Sequence, residues 1–147
     1  MIDRKLLMAS AIIASAIATA CSDGTAPLVQ SGSLHVTKEC SEYTRLAGGF
    51  CTITSSDLAQ IEVGTRVVYA IASGPTVLDT DIVLDPPGSG NDSAFGHCRL
   101  DLASGIGLCT LSGGTGKFTS FNASVDVSSL GRPNWAWNGT YSFSPRD

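Results

Sequence analysis

Three polar side chains at alternate positions could carry acid–base chemistry. His97, Arg99 and Asp101 are two residues apart, so in an extended strand they share one face, and the cysteine and leucines between them share the other. If the interior of the domain is polar, these side chains could transfer protons to and from a substrate. If the cystine face is the packed one, they lie in solvent, where an ion pair contributes less than about 1 kcal/mol. We favour the solvated arrangement.

The other polar residues do not match the spacing of common catalytic or metal-binding motifs. The two histidines, His35 and His97, are too few for a histidine-based zinc site. The glycine-rich run 113–117 lacks the spacing of a phosphate-binding loop, and no nucleophile elbow occurs. Five residues with side-chain oxygens lie around a proline–glycine turn, but their spacing does not match a calcium-binding loop, so we expect them to form a solvated loop. They are Asp79, Asp81, Asp85, Asn91 and Asp92. We therefore expect no metal and no cofactor, and a hydrolase is disfavoured.

Four of the five cysteines form two pairs with the same spacing. Cys40 and Cys51 are eleven residues apart, and so are Cys98 and Cys109. Three pairings are possible in principle, but two local bridges are the simplest, because each pair flanks a turn as in a hairpin. Residues opposite each other at a non-hydrogen-bonded position of two antiparallel strands lie about 4.5 Å apart at Cα, which a disulfide can span. We expect both bridges to be structural.

The first 20 residues are typical of an export signal. Arg4 and Lys5 precede about fifteen small or apolar residues, which is short for a membrane-spanning helix of roughly twenty. Cys21 follows at once, and residues 18–21 (Ala-Thr-Ala-Cys) resemble a bacterial lipobox, so we expect lipid attachment at Cys21 and a location in the bacterial cell envelope. Cleavage by an ordinary signal peptidase, which would give a secreted soluble protein, is the alternative. Residues 21–32 would then form a flexible tether and residues 33–147 the folded domain.

The charge of the chain excludes some partners. The formal net charge is −4 and the isoelectric point is near 4.9. Nucleic-acid binding needs clustered lysine and arginine, so we expect no nucleic-acid partner. An acidic domain is not attracted to an anionic membrane, so membrane contact would depend on the lipid anchor alone.

After the leader, the chain consists of short alternating segments. The predicted strands are 34–37, 50–54, 65–71, 80–84, 96–102, 106–111, 117–127 and 135–143, with one helical turn at 56–61. Seven or eight strands in about 110 residues, separated by regular turn signals, are typical of an antiparallel β-barrel or a sandwich. The sequence therefore predicts an all-β domain.

Aromatic residues recur on one face of the last predicted strand. Trp135, Trp137, Tyr141 and Phe143 share that face, where they could form a core or line a pocket. Apolar pockets are lined by aromatic side chains together with a few polar groups. Our pocket candidates are five aromatic residues and two asparagines that could anchor a polar group: Tyr69, Phe121, Trp135, Trp137, Tyr141, Asn122 and Asn138.

Part of the chain resembles dirigent proteins and allene oxide cyclases. The resemblance lies in residues 111–123 (LSGGTGKFTSFNA) and 137–143 (WNGTYSF), and it covers roughly residues 94–143. In those families a Gly-Thr-Gly-x-Phe turn opens one strand of a small eight-stranded antiparallel barrel. The resemblance implies that fold and a lumen in which a hydrophobic substrate is steered through cyclisation or coupling. The two cystine hairpins and the lipobox are departures from the plant families, and no catalytic residue of the family maps onto this sequence.

Three functions follow from these features as expectations. The leading one is an exported, lipid-anchored small β-barrel that binds a small hydrophobic ligand or a partner at the cell envelope. The second is a cyclase or isomerase of the allene oxide cyclase or dirigent type, which acts by positioning its substrate. The third is a purely structural envelope protein. The sequence does not decide between a monomer and an oligomer.

Overall fold

Eight segments of alternating residues form a closed antiparallel β-barrel in the computed structural model, which describes residues 30–144. The strands are β1 (Gln30–Glu39), β2 (Phe50–Ser56), β3 (Arg66–Tyr69), β4 (Val77–Asp85), β5 (Ser93–Asp101), β6 (Ile106–Thr115), β7 (Phe121–Ser129) and β8 (Asn134–Phe143). Each strand pairs with the next along the chain, and β8 pairs with β1 to close the barrel. Closure leaves no unpaired sheet edge. The predicted all-β barrel of about eight strands is confirmed.

The seam between β1 and β8 shows how alternation sorts the side chains. Ten residue pairs join the two strands without a register shift. Leu34 and Val36 of β1 and Trp135 and Trp137 of β8 are buried in the interior, whereas His35 between the first two is exposed. Side chains therefore fill most of the lumen, as is usual for a barrel of eight strands.

Two disulfides clip neighbouring strands together. Cys98 of β5 lies directly opposite Cys109 of β6, with 4.1 Å between their Cα atoms. Cys40, just after β1, is bonded to Cys51 of β2 across 4.3 Å. The predicted cystine pairing is confirmed, because each pair meets at the close antiparallel spacing that a disulfide can span.

The helical turn predicted at 56–61 is wrong. This segment forms tight turns in which Ser56 Oγ accepts a hydrogen bond from the Leu58 N–H at 3.2 Å. The Ile61 N–H donates to the Leu58 carbonyl oxygen at 3.0 Å. A side-chain hydrogen bond to the backbone therefore replaces the start of a helical ladder.

The strand predicted over 117–127 begins later than expected. Residues Gly116–Phe118 form a single 3-10 turn, and β7 starts at Phe121. The backbone takes positive φ at Gly116 (58°) and at Ser120 (64°), and these two residues interrupt the extended conformation.

The acidic residues predicted to share one loop are divided between a strand and a loop. Asp79, Asp81 and Asp85 belong to β4, whereas Asn91 and Asp92 lie in the loop before β5. The prediction is wrong for the first three because the residues between them alternate into the interior, so their spacing fits a strand. The carboxylates of these three residues therefore share the outer face.

Several predicted features lie outside the described residues. Residues 1–29 and 145–147 are among them, and with them the predicted leader, Cys21 and most of the predicted tether. Strand β1 begins inside that tether, because residues 30–32 pair with residues 141–143 of β8. Within residues 30–144, no helix is long and apolar enough to cross a membrane.

Candidate functional site

One end of the barrel, here called the closed end, is filled by apolar side chains. The β2–β3 loop contributes Leu58 and Ile61, and the β6–β7 turn contributes Phe118, all of them buried. The Phe118 and Phe121 ring centroids lie 5.5 Å apart, and Phe121 and Phe143 lie 5.0 Å apart. Such packed, tilted aromatic pairs stabilise beyond the area they bury.

The opposite end, here called the mouth, encloses a cavity of about 200 Å³. It lies where β1, β3 and β5 finish, beside the loops 40–49 and 130–133. The lining is mostly apolar or aromatic and includes three cationic side chains. The lining residues are Lys38, Cys40, Tyr43, Arg45, Cys51, Tyr69, Leu78, Leu100, Leu102, Arg132, Pro133 and Trp135. We call this space the mouth cavity.

Lys38 is the polar residue at the base of the mouth cavity. Its side chain follows the inward alternation of β1, and the residue is 4% exposed. Its Nζ donates a hydrogen bond of 2.6 Å to Tyr69 Oη and lies 4.7 Å from the centroid of the Trp137 ring. The Tyr69 hydroxyl in turn donates to Cys51 Sγ at 3.4 Å. Among residues 30–144, no carboxylate forms an ion pair with Lys38.

Burial changes the protonation of both partners in this hydrogen bond. It lowers the pKa of Lys38 to about 7, because the charged ammonium loses its hydration. It also raises the pKa of Tyr69, with a smaller contribution from Tyr43, so the phenol stays neutral and cannot balance a lysine charge. At neutral pH a large fraction of Lys38 is therefore the uncharged amine, which is the nucleophilic form of lysine.

Tyr43 supplies a second polar group to the cavity wall. Its ring centroid lies 4.9 Å from that of Tyr69, and its hydroxyl is buried without a hydrogen-bond partner among the described residues. Arg45 is held at the rim, where its guanidinium donates to Ser73 Oγ at 3.0 Å and to the Gly74 carbonyl oxygen at 2.9 Å. Buried polar groups normally have partners, so a free hydroxyl beside a cavity is available to a ligand.

The aromatic pocket candidates from the sequence are divided between the two ends. Tyr69 and Trp135 line the mouth cavity, and Trp137 lies beneath it against Lys38. Phe121 and Tyr141 belong to the other end, where Tyr141 packs edge-on against Phe143 at 6.1 Å. The structure therefore brings three of the five together.

The two asparagine candidates lie away from the mouth cavity. Asn122 is half-buried and donates from Nδ2 to the Ser120 carbonyl oxygen at 3.3 Å. Asn138 is exposed on the outer face, where its Oδ1 lies 2.8 Å from His35 Nδ1. Both occupy the strand positions that alternate outward.

The polar cluster around His97 lies on the outer face of β4 and β5. His97 Nδ1 is 2.8 Å from Asp81 Oδ1, and its Nε2 is 2.5 Å from Asp79 Oδ1. Arg99 donates to the second oxygen of Asp79 at 2.5 Å. Asp101 instead accepts from the backbone N–H groups of the β5–β6 turn. His97, half-exposed, is thus held between two carboxylates in solvent.

Sequence reasoning missed Lys38, Tyr43, Arg45 and Arg132. A signal for Lys38 was present, since it continues the alternation of Leu34 and Val36 onto the inner face. The other three lie in loops, where periodicity carries no information.

The described part of the chain contains no group of three or more histidine, cysteine, aspartate or glutamate side chains that could hold a metal ion. Comparison of the chain with protein-family models, with curated proteins and with solved structures finds no match.

Proposed function

We propose that the barrel binds a small, largely apolar molecule in the mouth cavity. The observation that supports this is a partly open cavity whose apolar and aromatic walls surround two buried polar groups, the Lys38 amine and the Tyr43 hydroxyl, which has no partner among the described residues. Ligand sites in proteins commonly combine such walls with a few placed polar groups. The ligand would meet the walls with its apolar part and Lys38 or Tyr43 with one polar atom.

The size of the cavity limits the ligand. Pockets for drug-sized molecules measure about 300–1,000 Å³. A cavity of about 200 Å³ suits a molecule with a single ring or a short chain. Benzyl alcohol, with one ring and one hydroxyl, is therefore a suitable first probe.

The two tryptophans of the chain allow a direct binding test. Trp135 lines the cavity and Trp137 lies behind it, so a bound molecule should change the intrinsic fluorescence. We expect the tryptophan fluorescence to change and to saturate as benzyl alcohol is added. Leu102→Phe should bind benzyl alcohol at least tenfold more weakly, because the larger side chain would occupy part of the cavity. Ile106→Phe, at an exposed position outside the cavity, is the matched control and should bind as the wild type does.

Two results would contradict this proposal. One is a fluorescence change that does not saturate, and the other is equal binding by Leu102→Phe and wild type. The first would favour a purely structural role at the envelope.

A cyclase or isomerase is the second candidate. A closed eight-stranded antiparallel barrel is the architecture that the resemblance to allene oxide cyclases and dirigent proteins implies, and the mouth cavity would be where the substrate is held. A fold by itself does not specify a reaction, so this candidate depends on turnover. An isomerase would convert a bound probe into an isomer, and the Leu102→Phe variant would not. This conversion would distinguish an isomerase from a protein that only binds the probe.

We also propose that the protein is exported and lipid-anchored at Cys21 in the cell envelope. The leader-like residues 1–20 and the following cysteine support this, and disulfides such as Cys40–Cys51 and Cys98–Cys109 form in oxidising compartments. Labelled palmitate should be incorporated by the wild type and not by Cys21→Ser. Equal labelling of both, or wild-type protein recovered in the medium without lipid, would contradict the anchor.

A further inference from the structure

We infer that the Lys38 amine forms an imine with a small apolar aldehyde or ketone held in the mouth cavity. This inference rests on the proposed ligand binding and adds to it a chemical class of ligand and a covalent step. The geometry behind it is a buried lysine at the base of an apolar cavity, with a phenol beside it and, within residues 30–144, no carboxylate in an ion pair with it.

The surroundings of Lys38 differ from those of an ordinary structural lysine. Lys117, near the closed end, places its Nζ 2.7 Å from Glu62 Oε1, so its charge is balanced. Among the residues that the structure describes, Lys38 Nζ makes one side-chain hydrogen bond, to Tyr69 Oη, and otherwise faces the rings of Tyr69 and Trp137 at 5.3 and 4.7 Å. Ring faces attract a cation only weakly compared with the hydration it gives up. Lysines in such desolvated pockets serve as nucleophiles toward carbonyl groups.

The covalent step balances with the groups present. Nζ of the neutral amine attacks the carbonyl carbon, a C–N bond forms, and one amine proton moves to the carbonyl oxygen. The resulting hydroxyl then leaves as water with the second amine proton, and the C=N bond forms. Tyr69 Oη, at 2.6 Å from Nζ, can relay these protons, because its hydroxyl both accepts and donates hydrogen bonds. The overall change is amine plus carbonyl to imine plus water, and it needs neither oxidant nor reductant.

A carbonyl compound fits this cavity better than an anion does. An anionic ligand would meet Lys38 and the rim arginines, but it would have to lose its hydration between aromatic walls. Arg45 already donates hydrogen bonds to Ser73 and to the backbone of Gly74, so fewer of its N–H groups are available to bind a ligand. A neutral aldehyde carries little hydration and presents the electrophilic carbon that the amine requires.

The test compares two molecules of nearly the same shape, benzyl alcohol and benzaldehyde. The full-length protein is treated with benzaldehyde and cyanoborohydride at pH 7, which converts an imine into a stable benzyl amine, and peptides are mapped by mass spectrometry. We expect benzylation of Lys38 at least about ten times faster than that of Lys117, because the Lys38 amine lies in the cavity that holds the aldehyde, whereas the Lys117 amine is paired with Glu62. Excess benzyl alcohol should slow the labelling of Lys38 and leave that of Lys117 unchanged.

Three variants make the outcome specific. Lys38→Met should lose the fast label, Lys117→Met should keep it, and Tyr69→Phe should label Lys38 more slowly. Equal labelling of the two lysines, or benzyl alcohol binding without fast labelling of Lys38, would overturn the inference and leave the binding proposal standing. Lys38-dependent binding of benzoate without labelling by benzaldehyde would overturn it in favour of an anion site. Failure of benzyl alcohol to bind, with no fast label, would remove both proposals.

Discussion

The two ends of this barrel differ in how they place a lysine. At the closed end, Lys117 stays near the surface and pairs with Glu62, while phenylalanine rings fill the interior beneath it. At the mouth, Lys38 turns inward and meets a tyrosine hydroxyl beside an open cavity. The closed end follows the usual rules of packing and charge pairing. The mouth departs from them.

That difference is the reason we propose the mouth as the functional site. A buried ammonium without a counter-ion destabilises a fold, and a well-packed apolar side chain would be the more stable choice. Folded proteins tend to break such local rules at functional sites. The mouth is also clipped by Cys40–Cys51, which closes the loop that carries Tyr43 over the cavity. We therefore assign structural stability mainly to the closed end and ligand chemistry to the mouth.

The largest effect is expected from emptying the closed end. Phe118 is fully buried and packs against Phe121, so Phe118→Ala should lower the free energy of unfolding by about 3–5 kcal/mol. The affinity for benzyl alcohol should be unchanged at temperatures where the variant is folded. Denaturant unfolding followed by circular dichroism measures the first quantity, and tryptophan fluorescence measures the second.

Tyr43→Phe is the matched change at the mouth. It removes a buried hydroxyl that has no partner in the described residues and keeps the ring that packs, tilted, against Tyr69. Because no hydrogen bond is lost, the free energy of unfolding should fall by less than about 1 kcal/mol or rise slightly. A loss as large as that of Phe118→Ala would contradict the assignment of stability to the closed end.

Much of the barrel could be predicted from the sequence because its signals are local. The spacing of Cys98 and Cys109 about a turn predicted a hairpin with its bridge, and the aromatic alternation of β8 predicted which face of that strand is buried. Both depend only on the two-residue period of a strand.

The candidate site was less accessible to sequence reasoning. Lys38 continues an apolar alternation, but a lysine at such a position argues against burial unless the structure is known. Tyr43 comes from a loop that the Cys40–Cys51 bridge folds over the mouth. The pairing of His97 with Asp81 depends on the register of β4 against β5, which one strand pattern does not define.

A smaller effect than that of Phe118→Ala, and of opposite sign, is expected when the buried lysine is replaced. Lys38→Met fills the same space without a charge, so at pH 7 it should raise the free energy of unfolding by about 1–4 kcal/mol. Lys117→Met, which breaks the ion pair with Glu62, should change it by less than about 1 kcal/mol. A Lys38→Met variant less stable than the wild type would show that the ammonium is satisfied in the folded protein.

The pH dependence of the free energy of unfolding, compared between the wild type and Lys38→Met, isolates the contribution of Lys38. Its pKa falls from 10.5 in the unfolded chain to about 7 in the folded one, so between these values the unfolded chain binds the extra proton and stability rises with pH. From pH 7 to 9 the wild type should gain about 2 kcal/mol relative to Lys38→Met. Tyr69 acts in the opposite direction only above pH 10, because burial raises its pKa. Parallel profiles for the two proteins would contradict the lowered pKa.

The smallest effect is expected at the His97 cluster, which lies on the outer face of β4 and β5. Hydrogen bonds that His97 donates to Asp81 and Asp79 raise the pKa of His97 above its ordinary 6.5, and the bond from His97 lowers the pKa of Asp79 below 3.8. The histidine contribution to stability is complete below 6.5 and is lost as the pH rises through the folded pKa. The Asp79 contribution is present above 3.8 and is lost as the pH falls through its folded pKa. The cluster should therefore stabilise the folded protein most between pH 3.8 and pH 6.5.

Histidine ring signals in an NMR titration test this cluster without unfolding the protein. Asp81→Asn and Asp79→Asn should each move the pKa of His97 back toward 6.5, whereas Asp101→Asn should not, because that carboxylate bonds to the β5–β6 turn. None of the three should alter benzyl alcohol binding, since these side chains face solvent away from the mouth cavity. A wild-type His97 titrating at 6.5 would show that the carboxylates do not hold the ring in solution. A change in ligand affinity would instead extend the functional region from the mouth to the outer face of β4 and β5.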